Sequence, residues 1–376
     1  MFVIPLIAGA LLVIIVLWDA FETVIFPRRV TRRIRLARFF YRATWRAWRA
    51  AVHPISATRL KDNLLSIFGP LSFLMLLGLW AFLLILGFGL LRWGASIYEG
   101  QEGFTTQLYY SGMTFFTLGL GDAARLSSFG RLLTIIEGGT GLGFLAIVIG
   151  YLPGLNQSFS RREVNISLLD ARAGSPPTAA EILYRHHDEY GMESIRELLH
   201  EWERWSAELL ESHLSYPILA YFRSQHDNQS WLAALTSILD ASAFVMVGVE
   251  GACVRQAQLT FAMARHTVVD LSLIFGVTPR WPDADRLSPA QLTNLRSRLM
   301  SAGLQPRMGE EADRKLMELR GMYEPFIFAL STHFLLAMPP WTPESGIADN
   351  WQTSVTPPER GTIRLVSARR RSIEHF

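Results

Sequence analysis

Cysteine is all but missing from this chain. Cys253 stands alone among 376 residues, which excludes an intramolecular disulfide and any cysteine framework for zinc. Charge is sparse as well: 18% of residues are Asp, Glu, Lys or Arg while half are apolar, against roughly 25% charged in soluble proteins. A membrane protein with a soluble part fits this balance; a wholly soluble enzyme does not. Acids are absent from one stretch in particular. Between Arg28 and Arg49 there are nine arginines and no Asp or Glu, and the position of this block between two apolar runs makes it a cytoplasmic charge under the positive-inside rule rather than a nucleic-acid patch. Strands alternating with helices are missing too, and with them the Gly-rich turn of a Rossmann-type regulatory domain.

Three apolar runs can each cross a ~30 Å hydrocarbon core. The first occupies residues 1–26 and reads as a retained span, because no basic segment precedes it and no small-residue cleavage site follows it. Asp19 and Glu22 near its inner end are costly in lipid unless paired, and the arginines that follow are the expected partners. The second run covers 64–91 and the third 131–153. Loop charge puts the N-terminus outside, 27–62 inside, 93–130 outside and the chain after about 156 inside, in the plasma membrane. Arg28, Arg29, Arg32 and Arg33 open a segment that interleaves cations with Phe39, Phe40, Tyr41, Trp45 and Trp48. Such a helix suits the inner membrane surface, with anionic lipid beneath it and the cytoplasmic domain within reach.

Between the second and third runs lies GFTTQLYYSGMTFFTLGLGD. Thr105 or Thr106 can cap a helix over 105–116, which is too short to span alone. A re-entrant segment must return through irregular backbone, which survives at membrane depth only inside protein or along a water-filled path. Glycines at 119 and 121 allow positive φ at alternate residues, so that successive carbonyls point one way. Rings of such oxygens replace the water around a cation.

TLGLGD resembles the TVGYGD signature of potassium channels, and the order outer helix, pore helix, filter, inner helix resembles their pore module over residues 63–155. The resemblance implies that Thr117, Leu118, Gly119 and Leu120 supply filter oxygens, followed by Gly121, with Asp122 at the outer mouth. One filter repeat per chain then implies a homotetramer, with K+ as the permeant ion and no other cofactor or metal. Leu120 stands where an aromatic residue is common, although GLG variants are familiar in two-pore-domain potassium channels. Phe115 and Phe116 make the back of the filter unusually aromatic and are expected to brace it by packing.

The inner helix carries glycines at 138, 139, 141, 143 and 150. In the resembled family an inner-helix glycine is a gating hinge, which marks Gly138, Gly141 and Gly143; close packing against the pore helix is the other reading. Glu137, an ionisable group inside a span, is expected behind the filter or near the cavity, with a hydrogen bond to the pore helix as its structural role.

After a linker over 156–177, helical periodicity resumes. Thr178 and Glu181 form a capping-box pattern, and Ile195, Leu198, Leu199, Trp202, Trp205, Leu209 and Leu210 line one helix face. Further helices are expected over 229–276, from Ser288-Pro289-Ala290-Gln291 to about 301, and over 309–338. The run from Leu235 to Val249 is apolar but short and contains Asp240, which favours a buried bundle helix over a fourth span. His186, His187, Asp188, Glu197, His200 and Glu201 match no paired metal motif, and no catalytic constellation is visible. Residues 344–376 read as a disordered tail.

The fold class expected is an all-α membrane protein: three transmembrane helices with a re-entrant pore helix and filter, then an all-helical cytoplasmic domain over 178–343 that gates the pore in answer to an unknown ligand or protein. Alternatives are a non-selective cation channel, a non-conducting membrane-anchored scaffold, and a subunit of the potassium-uptake carrier type.

Overall fold

A computed structural model describes residues 3–25, 35–55, 58–95, 103–118, 127–186, 191–225, 228–249 and 253–343. Among them every regular element is helical, and the sole bridge pairs Val249 with Pro306. α1 (Val3–Ala20) ends in a π-helical turn, Phe21–Ile25. α2 (Leu36–Val52) follows, then α3 (Thr58–Ala95), α4 (Phe104–Phe115) and α5 (Ser128–Ala173). α6 (Ala179–Arg185), α7 (Gly191–Ser215), a 3-10 turn at Pro217–Tyr221, α8 (Trp231–Gly248), α9 (Val254–Phe275), α10 (Pro289–Ser301), α11 (Glu310–Gly321) and α12 (Glu324–Phe334) complete the described chain.

α1 lies along α3, and small residues set their approach: a Cβ on Gly9 would lie 2.6 Å from the carbonyl oxygen of Gly87. At 1.5 Å per residue the 38 residues of α3 extend about 57 Å and the 46 residues of α5 about 69 Å. Both exceed what a bilayer core requires. The boundaries 64–91 and 131–153 therefore describe only the apolar middle of α3 and the first half of α5. The expected linker over 156–177 is helical as far as Ala173, a correction with a clear cause. Leu155, Arg162, Ile166, Leu169 and Ala173 are buried at helical spacing, so the chain keeps one face to bury although its apolar run has ended. Arg162 is held there by donating to the carbonyls of Leu219 (2.8 Å) and Phe222 (2.9 Å).

α2 is the amphipathic helix expected from the arginine block, yet one face is claimed by the chain itself. Trp45 is buried, and its Nε1 donates to the carbonyl of His333 at 2.9 Å, while Phe39 is exposed. Asp19 of α1 accepts from the Ala37 N–H (3.1 Å) and from Trp80 Nε1 (3.0 Å), supplying the start of α2 with the acceptor that its own N-cap, Arg35, does not offer. Glu22 pairs with Arg35 at 3.6 Å.

The remaining helices wrap α8, whose residues from Trp231 to Val245 are all buried. Asp240 inside it is matched by Arg286 at 2.7 Å and by the Tyr323 hydroxyl. Length and composition alone would let α8 cross a membrane, but its surroundings are α5, α6, α7, α9, α11 and α12 of the same chain. The run over 309–338 is two helices separated at Met322–Tyr323 rather than one. α10 begins at Pro289 with the full Ser288–Gln291 capping box. At Thr178 only half of the expected box forms, because the Glu181 carboxylate turns to Arg185 and Arg298 instead.

Candidate functional site: the short helix between α3 and α5

α4 occupies the place of the expected pore helix, one residue earlier at each end. Its N-cap is Gly103 and no side chain caps it, so neither Thr105 nor Thr106 plays that part. Leu108 packs over Gly89 of α3. Ser111 and Gln107 are buried on the same face, and Ser111 Oγ lies 2.8 Å from the Ile85 carbonyl oxygen.

Behind α4 lies a polar cluster that ties three helices together. Arg92, on the last turn of α3, is 1% exposed in its side chain, and Glu137 of α5 is 0% exposed. Their charged groups approach to 2.7 Å, with Arg92 Nε donating to Glu137 Oε2 at 2.8 Å. The Ser111 hydroxyl of α4 donates to the other carboxylate oxygen. Arg92 Nη2 also donates to Thr114 Oγ1 of α4 (3.0 Å) and to Thr134 Oγ1 of α5 (3.1 Å). A buried ion pair is tolerable when its remaining donors and acceptors are satisfied. Here the satisfaction comes from hydroxyls on two other turns, so the pair fixes where α4 sits.

The C-terminal end of α4 is closed by a Schellman motif. Leu118 N–H donates to the Met113 carbonyl (2.9 Å) and Thr117 N–H to the Thr114 carbonyl (3.0 Å). Thr117 holds the left-handed position usually given to glycine, with φ 55°. A β-branched residue there is strained. Phe115 is 2% exposed and packs on Phe144 of α5, whereas Phe116 is 56% exposed and points away from the chain's own core. Of the two rings, one braces the helix from within the chain.

Gly141 of α5 meets the end of α4 directly. An ideal Cβ at this position would overlap the carbonyl oxygen of Phe115. Gly138 lies nearby, 3.9 Å from the Thr114 carbonyl by the same measure, while a Cβ on Gly143 would meet nothing within 4 Å beyond the adjoining backbone of its own helix. Thr117 and Leu118 are described, exposed and adjacent to this contact. Gly119, Leu120, Gly121 and Asp122 lie outside the described residues, as do Arg28, Arg29, Arg32 and Arg33.

Residues 71–155 match a family model described as an ion channel. That segment is an ion-channel domain, and it resembles the pore module of the potassium channel superfamily. The matched segment takes in α3 from Leu71 onward, all of α4 and α5 up to Leu155, so the Arg92–Glu137 cluster falls inside the channel domain. One curated relative, the uncharacterized membrane protein YdjJ of Bacillus subtilis, is 27% identical over 197 residues, which cover 50% of this chain and 56% of the relative. The aligned part thus spans little more than half of that protein's length. No solved structure matches.

The sequence pointed to Glu137 and to a hydrogen bond with the pore helix, which Ser111 makes, but not to Arg92. Arg92 stands just past the second apolar run, where in sequence alone it carries topological information only. The available signal was spacing: Ser111 and Thr114, and Thr134 and Glu137, are each three apart and so share a helix face. Among the described residues no group of His, Cys, Asp and Glu could hold a metal ion.

Proposed function

We propose that four copies of this chain form a potassium-selective channel in the plasma membrane, with the N-terminus outside and the helical bundle in the cytoplasm. α1, α3 and α5 cross the membrane and α4 enters it from outside. K+ sheds its water stepwise onto carbonyls 117–120, repulsion between ions in adjacent sites sustains conduction, and the Asp122 carboxylates gather cations at the mouth. The observation that carries this reading is the Arg92–Glu137–Ser111 cluster, which holds the twelve-residue helix that precedes TLGLGD in fixed register against its two neighbours. The C-terminal end of α4 carries a partial negative charge of about −0.5, aimed where a cation would wait.

An exposed apolar face on α5 supports assembly. Leu132, Ile135, Leu142, Leu145 and Ile149 are uncovered in the single chain, and lipid or neighbouring copies must cover them. The gate lies on α5, which runs unbroken from the filter region into the bundle, so that movement of the bundle displaces the inner helix directly. Mass measurement of the complex in detergent tests the stoichiometry. Four chains of 42.5 kDa, about 170 kDa of protein, are expected, and a monomer contradicts a closed conduction path.

A further inference from the structure

A cavity of about 520 Å³ lies where the membrane helices meet the bundle, between α2, the inner end of α1, α5, the 3-10 turn, the end of α9 and α12. Its volume is in the range of small-molecule sites. One wall is a ladder of cations. Arg35, Arg38, Arg42, Arg46 and Arg49 recur at three- and four-residue steps, so all lie on one face of α2. Arg35 is answered by Glu22 and Thr23. The guanidinium groups of Arg38, Arg42, Arg46 and Arg49 have no ion pair or hydrogen bond among the described residues, and no Asp or Glu lines the cavity. Aromatic rings line the rest: Tyr41 and Trp45 of α2 itself, with Tyr41 stacked on Tyr221 of the 3-10 turn at 6.0 Å, and Phe275 of α9 and Tyr151 of α5.

Like charges three and four apart on a helix repel one another, and a solvated surface stripe would relieve this by splaying into water. Here Arg42 and Arg46 are exposed and Arg38 and Arg49 half-buried, and all four line the open cavity. The field inside it is felt by His333 on the far wall, whose pKa is lowered to about 4 by burial first and then by Arg49 and Arg42. Planar guanidinium forks match phosphate oxygens in paired hydrogen bonds, and the aromatic lining suits a flat or apolar body.

We propose that this cavity binds a phosphate-bearing anion with an apolar or aromatic body, and that its occupancy sets the position of the inner helix through Tyr151. A phospholipid headgroup and a soluble organic phosphate both have this chemistry. Tyr151 lies on α5, stacks on Phe73 of α3 at 5.4 Å and meets Tyr216 edge-on at 5.0 Å. One turn further along α5, the Tyr216 hydroxyl sits against Gly154, where a Cβ would overlap it. An occupant therefore touches the helix that continues from the filter into the bundle. The binding half of the inference stands on the cavity alone; the coupling half rests on the channel reading above.

Thermal unfolding of the full-length protein in neutral detergent tests the binding half. One arm adds ATP and inorganic pyrophosphate; the other compares mixed micelles containing phosphatidylglycerol with micelles containing phosphatidylcholine. A saturable rise in midpoint is expected in at least one arm, and the arm identifies the source. Arg42→Gln/Arg49→Gln should weaken apparent affinity at least tenfold, Arg42→Lys/Arg49→Lys by less, and Arg314→Gln on the exposed face of α11 not at all. No shift in either arm, or a shift unchanged in Arg42→Gln/Arg49→Gln, overturns the site. In liposomes, the ligand so found should change cation flux through the wild type and not through Tyr216→Ala, which lies outside the cavity, still binds the ligand and removes the ring that Tyr151 meets on the way to Gly154. Binding without any effect on wild-type flux overturns the coupling. Absence of flux under every condition, with binding intact, counts against the channel reading and leaves the site standing.

Discussion

Arg92 and Glu137 face each other at 2.7 Å with almost no exposure to solvent, forty-five residues apart in the chain and on helices that otherwise meet at few points. Removing one member of such a pair leaves an uncompensated buried charge, which costs about 3–5 kcal/mol, whereas replacing both by apolar groups of similar volume is often near neutral. Arg92→Met and Glu137→Leu should each lower the thermal midpoint of the assembled protein sharply. The double variant should recover part of that loss, and a double-mutant cycle on unfolding midpoints checks the coupling. Equal losses that simply add would show that the two groups do not act as a pair.

Gly141 is the contact point between the inner helix and the end of α4. Gly141→Ala should displace the Phe115 carbonyl, cutting ion flux and lowering stability by about 1–3 kcal/mol, the usual cost of overpacking. Gly143→Ala, at a position with free space in its own chain, should fold normally. Parallel flux and melting measurements on the two variants separate a packing glycine from a bending one. Loss of gating with unchanged stability in Gly141→Ala would favour bending.

Asp19 joins α1, α2 and α3 through one carboxylate. Asp19→Ala strands the Ala37 N–H and the indole N–H of Trp80, at about 1–3 kcal/mol for each donor left unsatisfied. Asp19→Asn keeps one acceptor oxygen and should cost less. The expected order of melting midpoints is wild type, Asp19→Asn, Asp19→Ala.

Stability of the bundle should fall as pH drops from about 7 toward 4. Burial and then Arg162 lower the pKa of His213 to about 3, and burial with Arg49 and Arg42 lowers that of His333 to about 4. Both histidines are thus neutral in the folded state while the unfolded chain takes up protons near pH 6.5. The unfolded state binds more protons in this window, so stability decreases with falling pH until the folded pKa values are reached. Urea titrations of the full-length protein at pH 7.5, 6 and 5 should show this slope, and a His213→Gln/His333→Gln variant should flatten it.

Much of this architecture is written in local patterns. The face carrying Ile195, Leu198, Trp202, Trp205 and Leu209 is buried as its spacing indicates, and Ser288 with Gln291 marks the start of α10 to the residue. What the sequence conceals is set by contacts between distant segments. The stretch after Asn156 loses its apolar periodicity because one of its buried positions is Arg162, satisfied by backbone carbonyls more than fifty residues away. Arg92 looks like an ordinary charge at a span end until the hydroxyls of Ser111, Thr114 and Thr134 are brought around it and around Glu137. The arginines of α2 announce a membrane surface, but Trp45 and Tyr221 turn part of that helix toward the bundle.

Cation flux into liposomes holding the purified protein tests the central claim most directly, with K+ and Na+ gradients compared and Gly119→Asp alongside. K+ flux well above Na+ flux, lost in the variant while its fold and mass are kept, is the expected result. Equal flux of the two ions, or K+ flux that survives Gly119→Asp, would contradict a potassium-selective filter at residues 117–122.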